Sequence, residues 1–135
     1  MAGPNRFWSK VGPKTLDRGN DLVTLWGSFL LPGAGAIVTQ DCLGFSFSRT
    51  GVGQFTITLD NSYGALYAIK FNTVQAVPVE TTFPVKTAAV TANPATITFE
   101  TWVATAAADL TAGGTLMVEI TLRATNTTLF PRKGA

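Results

Sequence analysis

A two-residue hydrophobic period recurs along this chain and leaves few folds open to it. In QFTITL, residues 54–59, Phe55, Ile57 and Leu59 fall on one face while Thr56 and Thr58 fall on the other. That is the pattern of a half-buried β-strand. Residues 116–123 repeat it, with Leu116, Val118, Ile120 and Leu122 turned inward. Residues 96–101 alternate as well, placing Ile97 and Phe99 on the core side, after which Trp102 and Val103 fall on opposite faces. Phe45 and Phe47 alternate with Ser46 and Ser48, and residues 22–31 read as a strand with Gly27 as a bulge. Residues 66–77 and 83–90 are weaker, but they are rich in β-branched side chains and lack helix signals. Only TAAADL, residues 105–110, has helical propensity, enough for a turn or two.

The punctuation between these runs is turn chemistry. Glycines at Gly33, Gly51, Gly53, Gly113 and Gly114, together with Asp60-Asn61 and Asn93-Pro94, are spaced as hairpin or sheet-crossing loops. The chain therefore reads as all-β, an antiparallel β-sandwich or barrel of about 6–8 strands with an extended N-terminal arm. Its 135 residues suit one domain. The expected division is an arm over residues 1–21, a β-sandwich over 22–130 and a short basic tail over 131–135.

Charge is distributed unevenly between these parts. Residues 1–21 hold Arg6, Lys10, Lys14 and Arg18 against Asp17 and Asp21, and the tail adds Arg132 and Lys133. Residues 22–131 hold four cations and six acids. The excess positive charge thus sits in the termini, and the arm also carries Phe7, Trp8, Val11 and Leu16, which a merely solvated tail does not need. An arm of this kind is expected to dock on a neighbouring subunit, with Phe7 and Trp8 as apolar anchors. Charged residues make up only 13% of the chain, and 21 Thr and 17 Ala stand where charge is usual. A surface so poor in charge suits contact with other protein.

Several classes of chemistry lose their residues. With no His, the Ser-His-Asp and Cys-His devices and His-ligated metals are absent. Cys42, alone, builds neither an internal disulfide nor a Cys-rich zinc site, and reads as a small buried hydrophobe. Of the core acids, Asp60 and Asp109 sit in turn-like segments, while Glu100 and Glu119 fall on the polar faces of their strands. Nothing in the spacing sets two of them as an acid–base pair. Gly51-Val52-Gly53 is followed by a strand, which fits a hairpin and not a dinucleotide loop. Asn126-Thr127-Thr128 matches a glycosylation acceptor, and without a secretory route the match carries no weight. No secretory h-region and no run of about twenty apolar residues is present, so the expectation is a soluble protein made in a cytoplasm-like compartment. A single-strand-binding barrel is disfavoured by the net-negative core. Sugar contact through Trp26, Trp102 or Tyr63 is open to any sandwich, although Trp in such folds is more often buried.

The stretch RTGVGQFTITL, residues 49–59, followed by Tyr63 and Leu66, resembles a pattern in small virion proteins of tailed bacteriophages. Ala107-Ala108-Asp109 before Gly113-Gly114, a last strand ending in Arg123, and Leu25 to Phe29 ahead of Gly44 to Phe47 extend the likeness over residues 22–125. The resemblance implies a non-enzymatic virion protein without cofactor or metal, most like a capsid decoration (cement) protein on the outer capsid surface. Its implied partners are the major capsid protein and copies of itself, as a trimer by analogy, with no membrane, nucleic acid or small-molecule substrate. Assembly would take place in the host cytoplasm. A tail, baseplate or fibre module that recognises a host or glycan is the alternative within the same group.

Overall fold

A computed structural model describes residues 22–124 of the chain. Eleven strands follow one another: β1 (Leu22–Leu30), β2 (Gln40–Cys42), β3 (Phe45–Gly51), β4 (Gln54–Leu59), β5 (Ala65–Val74), β6 (Thr81–Thr82), β7 (Val85–Ala89), β8 (Ala95–Glu100), β9 (Trp102–Val103), β10 (Ala106–Ala107) and β11 (Thr115–Arg123). Seven of them are five residues or longer, and the other four have two or three. Two four-stranded sheets, ordered β2-β1-β11-β5 and β3-β4-β8-β7, form a sandwich, with a small β10-β9-β6 sheet beside them. Every strand pairing is antiparallel. The architecture is the all-β sandwich that the two-residue period predicts.

The alternating runs bury their apolar face where the two sheets meet. Phe55, Ile57, Leu59, Ile97, Phe99, Leu116, Val118, Ile120 and Leu122 are each at most 3% exposed. Aromatic rings join the layers: Phe29 of β1 lies 4.6 Å from Phe47 of β3, and Phe71 of β5 lies 4.7 Å from Phe99 of β8. Such ring pairs add about 0.5–1.5 kcal/mol each beyond the area they bury. All buried apolar residues fall in one cluster, so the described residues share a single core.

Two local expectations are corrected. Gly27 is not a bulge, because β1 pairs with β11 without a break from Leu22–Arg123 to Leu30–Thr115. Its missing side chain serves packing: a Cβ there would lie 2.5 Å from Phe45 Cζ and 2.9 Å from Cys42 Sγ. The TAAADL segment forms no helix. Ala104 turns the chain at a φ of 58°, β10 folds back on β9, and the Thr101 hydroxyl donates to the Ala108 carbonyl at 2.7 Å. Tertiary hydrogen bonds outweigh the small helical preference of a few alanines.

Candidate functional site

Three residues from two parts of the chain, Arg49, Gly53 and Asp109, meet in one clasp. Arg49, at the end of β3, donates from Nε to Asp109 Oδ1 at 3.0 Å and from Nη2 to Oδ2 at 2.7 Å. The Gly53 amide donates to the same Oδ1 at 2.9 Å. Asp109 thus accepts three hydrogen bonds and joins the β3–β4 hairpin to the strand-poor segment before β11. Its expected use of its own backbone turn is replaced by this long-range role. The bidentate fork is the strong form of an Arg–carboxylate pair. It holds the Asp109 carboxyl below the usual carboxylate range, with the Gly53 amide adding to the effect, and holds the Arg49 guanidinium above its ordinary value. Both side chains are 15% exposed, and nothing reactive lies between them, so the clasp is architecture.

Gly53 takes this turn at a φ of +61° while backbone crowds it from outside. A Cβ would stand 2.6 Å from the Ala108 nitrogen and 2.8 Å from the Thr101 carbonyl oxygen. Gly51 marks the register shift of the β3–β4 hairpin. At the opposite turn Gly113 has a φ of +101° with open space around it, whereas Gly114 is approached by the Val74 carbonyl.

The outer face of the β2-β1-β11-β5 sheet carries the most developed surface feature, a trough of about 670 Å³. Its geometry follows from the register. Trp26, Glu119 and Lys70 lie in one row across β1, β11 and β5, and Asp41, Ser28, Met117 and Asn72 lie in the next but one. Between them runs the row Gly27–Val118–Phe71, whose side-chain positions face the core, so backbone forms the floor. Trp26 is 65% exposed and Leu43 beside the trough 83%, which corrects the expectation that strand Trp is buried. Lys70 Nζ stands 3.9 Å from Glu119 Oε1, a loose and largely solvated pair.

The other candidate residues separate clearly. Tyr63 is buried in the core. Trp102 is half-buried and donates from Nε1 to Glu100 Oε1 at 2.7 Å, and Lys86 approaches Glu100 Oε2 at 3.6 Å. Glu100 is therefore engaged by two neighbours and is not the solvent-facing residue its strand position suggests. Cys42 is only half-buried, and partial burial, with Asp41 nearby, raises its thiol pKa. The arm residues Arg6, Phe7, Trp8, Lys10, Lys14 and Arg18 lie outside the described residues. Among the described residues no group of three or more His, Cys, Asp or Glu is placed to hold a metal ion, and no helix is long and apolar enough to cross a membrane.

Sequence reasoning did not find the trough, because its residues come from four strands and meet only through the register. The alternation of β1 did contain one usable signal. Trp26 occupies an outward position between Leu25 and Gly27, where a large aromatic has no core to fill. The chain matches no protein-family model, no curated protein and no solved structure.

Proposed function

We propose that this chain is a non-enzymatic structural protein of a tailed-phage particle, a capsid decoration or cement protein that binds the outer shell and bridges capsid subunits. The observation that carries the reading is the β5 edge of the β2-β1-β11-β5 sheet. β5 runs for ten residues, and among the described residues it pairs on one side only, with β11. Lys70 is its single charged residue. Its register shift against β11 lies at Thr121/Leu122, so residues 68–74 run without a bulge. Edges of this length are normally blunted by charge, Pro or bulges, because unpaired backbone groups template another chain. A long, nearly uncharged edge fits a protein whose working state is an assembly, in which strand addition supplies the missing partner.

The clasp supports the same reading. The Arg49–Asp109 pair and Gly53 stiffen the block, and they are among the residues quoted for the virion likeness. By the same likeness the arm, through Arg6, Phe7, Trp8, Lys10, Lys14 and Arg18, lies over a neighbouring capsid subunit. Many weak attachments on one lattice add up to firm binding.

Quantitative mass spectrometry of purified particles from lysates that produce the protein tests this directly. Hundreds of copies, in a simple ratio to the major capsid protein, are expected. Absence from particles overturns the proposal. A few to a few dozen copies would replace it with the tail, baseplate or fibre reading, which the exposed trough around Trp26 favours.

A further inference from the structure

We infer that the trough on the outer face of the β2-β1-β11-β5 sheet is a binding site for a neutral saccharide, with Trp26 as its stacking platform. The inference goes beyond the assembly role and does not depend on it, since a strand added at the β5 edge lies in the plane of the sheet and leaves this face open.

Four observations converge. The first is Trp26 itself, 65% exposed on a strand paired through its whole length. A large aromatic on a rigid strand is already ordered, so little conformational freedom is lost when something stacks on it. The negative face of the indole attracts the weakly positive C–H groups along one face of a pyranose ring. The second is the polar set across the floor. Asp41, Ser28 and Asn72 belong to the row facing Trp26, and Glu119 and Lys70 continue the row of Trp26.

The third observation is that this set has capacity to spare. The Asp41 side chain has no ion pair or hydrogen bond among the described residues. Asn72 uses its Oδ1 to accept from the Thr73 amide at 2.9 Å, and its amide nitrogen keeps two donors for a ligand. Adjacent hydroxyls of a sugar suit such a set, because each can donate to a carboxylate and accept from an amide. The fourth is size. About 670 Å³ falls within the range of small-molecule sites.

The charge balance narrows the class. Two carboxylates, Asp41 and Glu119, face one ammonium, Lys70, so the trough repels phosphates, sulfates and sialic acids. The same balance disfavours a nucleic-acid strand, whose bases would also stack on Trp26. A protein partner would find the apolar Trp26, Leu43 and Met117 attractive, but the carboxylates and amide beside them would be left without partners.

The test uses the full chain and an array of neutral and anionic glycans, followed by titration with maltotriose, cellotriose and triacetylchitotriose. The indole N–H signals of the three Trp residues are read by NMR. Saturable binding of at least one neutral glycan is expected, with one indole signal shifting and that signal missing from Trp26→Ala. Trp26→Ala should weaken binding at least tenfold, Trp26→Phe should retain part of it, and Trp102→Phe should leave it unchanged. Asp41→Asn should weaken binding severalfold without moving the melting temperature. The inference is overturned if no neutral glycan binds, if only anionic glycans bind, or if Trp26→Ala binds like the parent. It is equally overturned if Trp26→Ala alters only self-association, which would make the face a contact between copies. A zero copy number in particles would remove the assembly role and leave this result untouched.

Discussion

Replacing Gly53 with Ala should be among the most damaging single-methyl changes in the molecule, and Gly113→Ala provides its internal control. Both glycines sit at positive φ, +61° and +101°. At Gly53, inside the left-handed region, an Ala costs about 1–2 kcal/mol, and at Gly113, whose φ lies beyond that region, it costs more. The lower entropy of the unfolded Ala chain offsets roughly 0.4–1 kcal/mol of that at either site. The surroundings separate the two. At Gly113 an added Cβ meets nothing within 4 Å, whereas at Gly53 it meets the Ala108 nitrogen at 2.6 Å, the Thr101 oxygen at 2.8 Å and the Ala108 oxygen at 2.9 Å. All three are backbone atoms, so no side chain can swing aside. Relief requires the hairpin to withdraw from the 101–108 segment, and the bonds across that seam weaken with it. They run from the Thr101 amide to the Gly53 carbonyl at 2.8 Å and from the Gly53 amide to Asp109 at 2.9 Å. Losing one ordinary hydrogen bond and one to a carboxylate costs about 2–4 kcal/mol, which outweighs the larger φ cost at Gly113, so Gly53→Ala should exceed Gly113→Ala by about 1–3 kcal/mol. For a domain of this size the difference corresponds to about 3–15 °C in melting temperature. Thermal and urea unfolding followed by far-UV circular dichroism would measure it, with an unchanged urea slope as the check that both variants unfold from the same compact state. Equal melting temperatures would refute the argument, because they would mean that the close approach at Gly53 carries no energy.

Two further predictions concern the core and the clasp. Phe99→Ala removes a fully buried ring that touches Phe55 at 5.4 Å and Phe71 at 4.7 Å between the layers, and should cost about 3–5 kcal/mol, read as a lower urea midpoint. Asp109→Asn should lower the melting temperature by several degrees at neutral pH and flatten its acid dependence. The sign follows from the carboxyl being held below 3.8: its contribution is complete above the unfolded value and is lost as pH falls through the lower folded value. Parent and variant melting curves should therefore converge as pH drops below about 4, and a constant gap down to pH 2 would sink the assignment.

The sandwich was legible because alternation and burial are the same fact in a two-layer fold. Phe55, Ile57 and Leu59 can share a face only in a strand, and that face must be covered. What single residues could not disclose was partnership across the chain. Asp109 looks like any turn aspartate until Arg49, sixty residues earlier, is brought to it by the β4–β8 pairing. TAAADL has local preferences that point to a helix, and hydrogen bonds from Thr101 and the clasp override them. Gly27 reads as a bulge from composition, yet its cause lies in Phe45 and Cys42 beneath it. Each of these misses is a residue whose environment is made by other strands.

The same logic bears on how the two proposals share the fold. The clasp, the crowded glycines and the ring contacts all bind the β3-β4-β8-β7 sheet to the segments around it. The opposing sheet presents its outer face and its long β5 edge to solvent: its outward ion pair is the loose Lys70–Glu119 contact, and its largest outward side chain, Trp26, is mostly solvated. Exposed apolar surface and a long edge with a single charge are liabilities for a solitary protein. They are tolerable where a single core shared by both sheets already supplies the stability of the fold. An edge paired in the plane of the sheet and a ligand held perpendicular to it do not compete for the same atoms. Under the proposed function one sheet would attach the block to a lattice and still offer Trp26 to solvent, and repetition over that lattice would make even millimolar affinity at each trough count.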